Sequence, residues 1–117
     1  MMFVIPMTIA LAAAPDQKEA AFDRLAALLE QPLVRTLLRE RGIPLTRLQR
    51  DRAYPHEQCF AAPFWFFLDC ANAPAAKEAR DRASKLLGEP ELVTIARMNR
   101  VSLASINVGE PSPYPGA

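Results

Sequence analysis

The chain carries one histidine, two cysteines and four glycines in 117 residues, and each scarcity narrows what it can do. The glycines stand apart, so no Gly-rich loop is available to cradle a phosphate, and no serine lies in a Gly-x-Ser-x-Gly elbow. No apolar run reaches the ~20 residues of a membrane span. Neither sign of charge dominates: 14 basic residues face 13 acidic ones, a net +1 that argues against broad attraction to nucleic acid or anionic membranes. No motif asks for a cofactor. There is no internal repeat.

What is present reads as one ordinary folded domain. Half of the residues are hydrophobic and 23% are charged, the balance of a chain that buries a core. At 117 residues a second core would not fit.

The first fifteen residues, MMFVIPMTIALAAAP, bear no charged side chain, whereas charges recur from Asp16 onward. Ala10-Leu11-Ala12 fits the small-x-small cleavage rule, so residues 1–12 are expected to be a signal peptide ahead of a domain over 13–109. Export to the periplasm or beyond follows from that expectation. The alternative is a cytoplasmic protein that keeps Met2 to Leu11 as an N-terminal strand. Two features favour the alternative: no Lys or Arg precedes the run, and Pro6 interrupts it. Cys59 and Cys70 suit an oxidising compartment, where they would close one disulfide worth about 3 kcal/mol in the chain-entropy picture.

Residues 16–31 have the apolar spacing of an amphipathic helix, with Phe22, Leu25 and Leu29 inward and Asp16 and Glu19 at capping-box separation. Pro32 starts a second helix that ends at Arg41, where Gly42 supplies a left-handed cap. Residues 43–58 show no regular period and read as an irregular connection. Aromatic content makes Phe64 to Asp69 a strand, with Pro63 barring a central strand through its own position. Asn72 to Leu87 forms a third helix with a narrow stripe of Ala76, Ala79 and Ala83. Leu92 to Val108 reads as two strands joined near Asn99. The tail over 110–117, with its alternating prolines, is expected to be extended or disordered.

The fold class expected is therefore α+β: two N-terminal helices, then strand–helix–strand–strand, giving a small sheet with helices on one face. An N-terminal strand would add a fourth strand to it.

Three constellations carry chemistry. His56 and Cys59 form His-x-x-Cys, with Cys70 as a third donor, but a structural zinc site needs four ligands and no metal is expected. The same pair could act as a thiol with an adjacent base. Arg35, Arg39, Arg41, Arg47, Arg50 and Arg52, set against only Glu40 and Asp51, offer an anion-binding surface or simply a solvated one. Phe60, Phe64, Trp65, Phe66 and Phe67 cannot all face one side of a strand. One parity, Trp65 and Phe67, could present itself to a partner.

With no catalytic constellation, the leading expectation is a small exported protein that binds another protein. Phe64, Trp65 and Phe67 would make the contact, and Arg35, Arg39, Arg47 and Arg50 would assist. The alternatives are a cytosolic regulatory or nucleic-acid-associated protein using the arginines, and a small thiol-dependent enzyme or redox protein. Nothing in the sequence fixes the oligomeric state.

Overall fold

The computed structural model describes residues 1–115. Its first element is a strand. In β1 (Met2–Leu11) the side chains of Phe3, Ile5, Met7, Ile9 and Leu11 are buried, and the intervening Val4, Pro6 and Thr8 are not, the period-two pattern of a sheet with one covered face. The expectation of helices first is corrected here: Met2–Leu11 forms the strand that the alternative reading of the N-terminus describes.

Beyond a 3₁₀ turn at Pro15–Gln17 come helices α1 (Lys18–Leu29) and α2 (Pro32–Glu40), split by Pro32 at the first turn of the second. Gly42 adopts φ +81° after α2, the left-handed conformation expected of it. Asp16 makes no side-chain cap, and Glu19 serves a longer-range contact described below.

The stretch expected to be irregular holds two strands, β2 (Leu45–Arg50) and β3 (Tyr54–His56), both laid along β4 (Cys59–Asp69). Their alternation escapes a sequence pattern because their residues are mostly polar or half-exposed. Helix α3 (Ala73–Ala83) follows. Asn72 caps it by accepting from the Ala75 N–H at 2.9 Å, and Ala76, Ala79 and Ala83 lie buried along its inner face.

Residues 90–98 form helix α4 (Pro90–Met98), not the first strand of a hairpin. Val93 and Ile95 suggest a strand by β-branching. Pro90 at the first turn, Glu91 near the positive end of the helix, and Leu92, Ile95 and Ala96 one turn apart decide for the helix. β5 (Leu103–Val108) and the two-residue β6 (Ser112–Pro113) complete the chain. Part of the tail expected to be extended or disordered is thus a short strand on β1. Gly116 and Ala117, its last two residues, lie outside the described residues.

The sheet order is β2-β4-β1-β5, every neighbouring pair antiparallel, with β3 also on β4 and β6 also on β1. Two β-α-β crossovers result, each straddling a strand: β1 to β2 passes β4, and β4 to β5 passes β1. This split βαββαβ pattern is the ferredoxin-like arrangement. The four helices cover one face, where Phe22, Leu25, Leu28, Val34, Leu38 and the small face of α3 meet the inward side chains of β1 and β4.

Both central strands contain a proline. Pro6 and Pro63 are tolerated because each ring nitrogen faces the point where the neighbouring strand gives way. The Pro6 carbonyl accepts from the Gly109 N–H at 2.7 Å, just past β5, and the Pro63 carbonyl accepts from the Asp51 N–H at 3.0 Å, between β2 and β3. In an antiparallel ladder each such pair would exchange two bonds, and proline can provide only one of them. An arginine makes up the other in both places. Arg80 Nε donates to the Gly109 carbonyl at 3.3 Å, and one Arg50 NH group donates to the Asp51 carbonyl at 3.1 Å. Pro63 thus lies inside a central strand, contrary to expectation.

Candidate functional site

Between the helices and the covered face of the sheet lies an apolar chamber of about 50 Å³. Met7 and Ile9 of β1, Phe66 of β4, and Leu103 and Ile106 of β5 form its floor. Leu25, Leu28 and Leu29 of α1, Val34 and Leu38 of α2, Leu86, and Leu92, Ile95 and Ala96 of α4 form its walls. Every lining side chain is apolar. Leu92, Ile95, Leu103 and Ile106 are only partly buried, so the α4–β5 side is its rim. Helix α4 is tied at its start by Arg41, which reaches Glu89 at 3.0 Å and Glu91 at 2.9 Å, and those two carboxylates raise the Arg41 pKa above its ordinary value.

The aromatic segment is the second central strand. Phe64 and Phe66 are fully buried against the helices, and Phe67 is buried beneath the Arg47 guanidinium, 4.0 Å from its ring centroid, and the Tyr114 ring at 4.9 Å. Trp65, half-buried, is the least covered of these four and lies beside Pro6 on the face away from the helices, which Phe67 shares beneath its cover. This burial overturns the expectation of a protein that binds its partner through this segment.

The arginines are spread over separate structural tasks. Arg35 donates to the Thr46 carbonyl at 2.6 Å, fastening α2 to β2. Arg50 bridges Glu19 at 3.0 Å and Asp23 at 2.6 Å, fastening α1 to the end of β2. Arg47 lies on Phe67, and Arg39 is exposed at the end of α2. Glu19 also accepts from the Ala53 N–H at 2.9 Å. Its carboxyl is held below the usual carboxylate range, first by the bond from Arg50 and then by that N–H. Burial works against the Arg50 charge, but Asp23 and Glu19 outweigh it and raise its pKa.

The disulfide expectation fails on geometry. Cys59 opens β4 and Cys70 follows its last residue, which puts them about 35 Å apart along an extended strand. A disulfide needs Cα atoms within about 7 Å, and both thiols are free. Among the described residues no group of three His, Cys, Asp or Glu side chains could hold a metal ion. No helix among the described residues is long and apolar enough to cross a membrane. His56 and Cys59, by contrast, are register partners across the β3–β4 hairpin.

No protein-family model matches the sequence, and no curated protein matches it. Solved structures of similar form exist. A cofactor-independent oxygenase, SnoaB from Streptomyces nogalater, shares 16% identity over 97% of this chain and 93% of its own, with a TM-score of 0.40. The protein Atu4242 from Agrobacterium tumefaciens shares 12% identity over 98% and 95%, with a TM-score of 0.49. A dimeric ferredoxin-like protein from an uncultured marine organism shares 10% over 96% and 92%, with a TM-score of 0.43. No residue role passes from them to this chain.

The helix-borne walls of the chamber are legible as apolar faces of α1 and α2. Its α4 rim is not, because residues 92–96 read equally as a strand. Glu89-Pro90-Glu91 was the signal that could have decided for a helix.

Proposed function

We propose that this protein binds a neutral, apolar small molecule in the chamber between its helices and its sheet. The observation that carries the reading is the chamber's lining, apolar on every side and partly open only past α4. Small-molecule sites are concave and mostly apolar. A charged ligand would lose its hydration there and gain no partner in return. The cavity at rest is small, so a ligand larger than a few heavy atoms enters by displacing α4, the helix with only Ala96 fully buried.

The test compares toluene with benzoate, one ring with and without a charge, by the shift each gives in the melting temperature. Toluene should stabilise the protein as its concentration rises and benzoate should not. Ala96→Leu, which fills the chamber, should abolish the toluene shift. Equal shifts for the two, or none for either, would refute the proposal.

A second reading concerns self-association, favoured by the open face of the sheet. Exposed faces of antiparallel sheets are normally polar. Here Val4, Pro6, Pro63 and Trp65 line one, and a groove of about 390 Å³ runs between Pro6, Pro63, Trp65 and Asn107. A second copy of the chain is the occupant that such a face suits. Sedimentation of the wild-type protein against Trp65→Ser tests it, and a monomer at all concentrations would remove it.

A further inference from the structure

We propose that His56 and Cys59 form a thiol–imidazole pair that exchanges with small disulfides, making Cys59 a reversible modification site apart from the chamber. The chain's one histidine and its more accessible cysteine are direct partners in the β3–β4 ladder. Directly opposed residues project from the same face with Cβ atoms about 5 Å apart, within reach of a contact between ring and sulfur. A two-residue turn, Glu57-Gln58, brings them together, and Glu57 holds a left-handed φ of 56° to do so. That conformation is unfavourable for a residue with a side chain, and it fixes the hairpin at its shortest loop. The Tyr54 ring stands edge-on to the imidazole, 6.5 Å between centroids, on the same face. The pair sits on the open face of the sheet, whereas Phe60 turns to the helix side, where the Lys18 ammonium lies 5.2 Å over its ring. The charged side chain nearest in sequence is Glu57, in the turn itself.

The other cysteine makes the contrast. Cys70 is 6% exposed, and burial, with Asp69 beside it, pushes its thiol above the ordinary range. A protonated, covered thiol is inert. Cys59 is half-buried at a hairpin end, with a base opposite it.

The chemistry balances without an outside oxidant beyond the disulfide itself. The imidazole of His56 takes the Cys59 proton, and the thiolate attacks one sulfur of the small disulfide. A bond from Cys59 Sγ to that sulfur forms as the original S–S bond breaks. The departing thiolate takes the proton back from the imidazolium. A neutral thiol is a poor nucleophile, so a base that takes the proton during the attack speeds the exchange.

The test treats the full-length folded protein with oxidised glutathione from pH 6 to 9 and follows adducts by intact mass and peptide mapping. One glutathione should add, on Cys59, faster at pH 7 than to an unstructured cysteine peptide, and dithiothreitol should remove it. Cys59→Ser should take no adduct. His56→Gln should slow the reaction about three- to tenfold at pH 7. Three results would overturn the proposal: first labelling at Cys70, an unchanged rate in His56→Gln, or a wild-type rate no faster than that of an unstructured cysteine peptide. The last needs no variant, so the outcome holds even if His56→Gln folds poorly.

Discussion

The Arg80 guanidinium donates to the Gly109 carbonyl at 3.3 Å, where the backbone N–H of residue 6 would stand were that residue not proline. The same side chain reaches the Val108 carbonyl at 3.1 Å, so one arginine on α3 closes the end of the β1–β5 ladder. Leaving a half-buried carbonyl without a donor costs about 1–3 kcal/mol. Arg80→Met should therefore destabilise the protein by about that much. In a Pro6→Ala background, which restores the backbone donor, the same change should cost less by about 1 kcal/mol, the coupling expected of groups that share an acceptor. Urea unfolding of the four proteins measures it, and strict additivity would show that Arg80 does not replace the missing donor.

Arg50 performs the matching task for Pro63, and it also holds Glu19 and Asp23. Because the Glu19 carboxyl is held below its ordinary value of 4.5 by Arg50 and the Ala53 N–H, its stabilising contribution is complete above that pH. It is lost as the pH falls through the depressed folded-state value. Glu19→Gln should lower the melting temperature by a few degrees at pH 7 and by less at pH 3. A difference that stays constant over that range would mean that the contact does not depend on the carboxylate.

These two proline sites also explain where the sequence misleads. Pro63 excludes a central strand only if its missing donor goes unreplaced, and the replacing Arg50 comes from a segment whose mixed polar pattern shows no strand. Pro6 likewise weakens a signal-peptide reading without revealing a strand, since its compensating Arg80 lies 74 positions away. The apolar faces of α1 and α2, the cap at Asn72 and the alanine stripe of α3 are local patterns, and those are legible. Sheet order and the chamber arise from contacts distant in sequence, and the helical state of 90–98 is masked by the β-branched Val93 and Ile95 although Pro90 and Glu91 signal it locally. The pairing of His56 with Cys59 lies between these cases: its spacing is visible, but the two-residue turn that aligns the side chains is not.

The chamber gives a prediction with two readouts. Leu25 is buried at its wall, and Leu25→Ala should cost about 2–5 kcal/mol as the cavity grows. The enlarged cavity should in turn take up toluene more tightly than the wild-type one, recovering part of the lost stability when the ligand is present. Thermal melts with and without toluene test both effects. A destabilised variant that gains no ligand affinity would mean that the walls collapse inward and that the chamber is a packing gap.

Met2–Leu11 is paired along its whole length with β4 and over its second half with β5. It places Phe3, Ile5, Met7, Ile9 and Leu11 in the core, each at 4% exposure or less. Burying a side chain of this size contributes about 1.5–3 kcal/mol, so five of them rival the entire 5–15 kcal/mol stability of a typical domain. Without β1 the remaining strands would form two separate groups, because β4 and β5 touch only through it. A chain beginning at Ala13, the product of cleavage after Ala12, should therefore be unfolded, with no cooperative melt and no dispersed amide spectrum. Adding a synthetic peptide of residues 1–12 should restore the fold in a concentration-dependent way, as strand addition to an open sheet does. A truncated chain that melts cooperatively by itself would show that β1 is dispensable, as the reading of residues 1–12 as a leader requires.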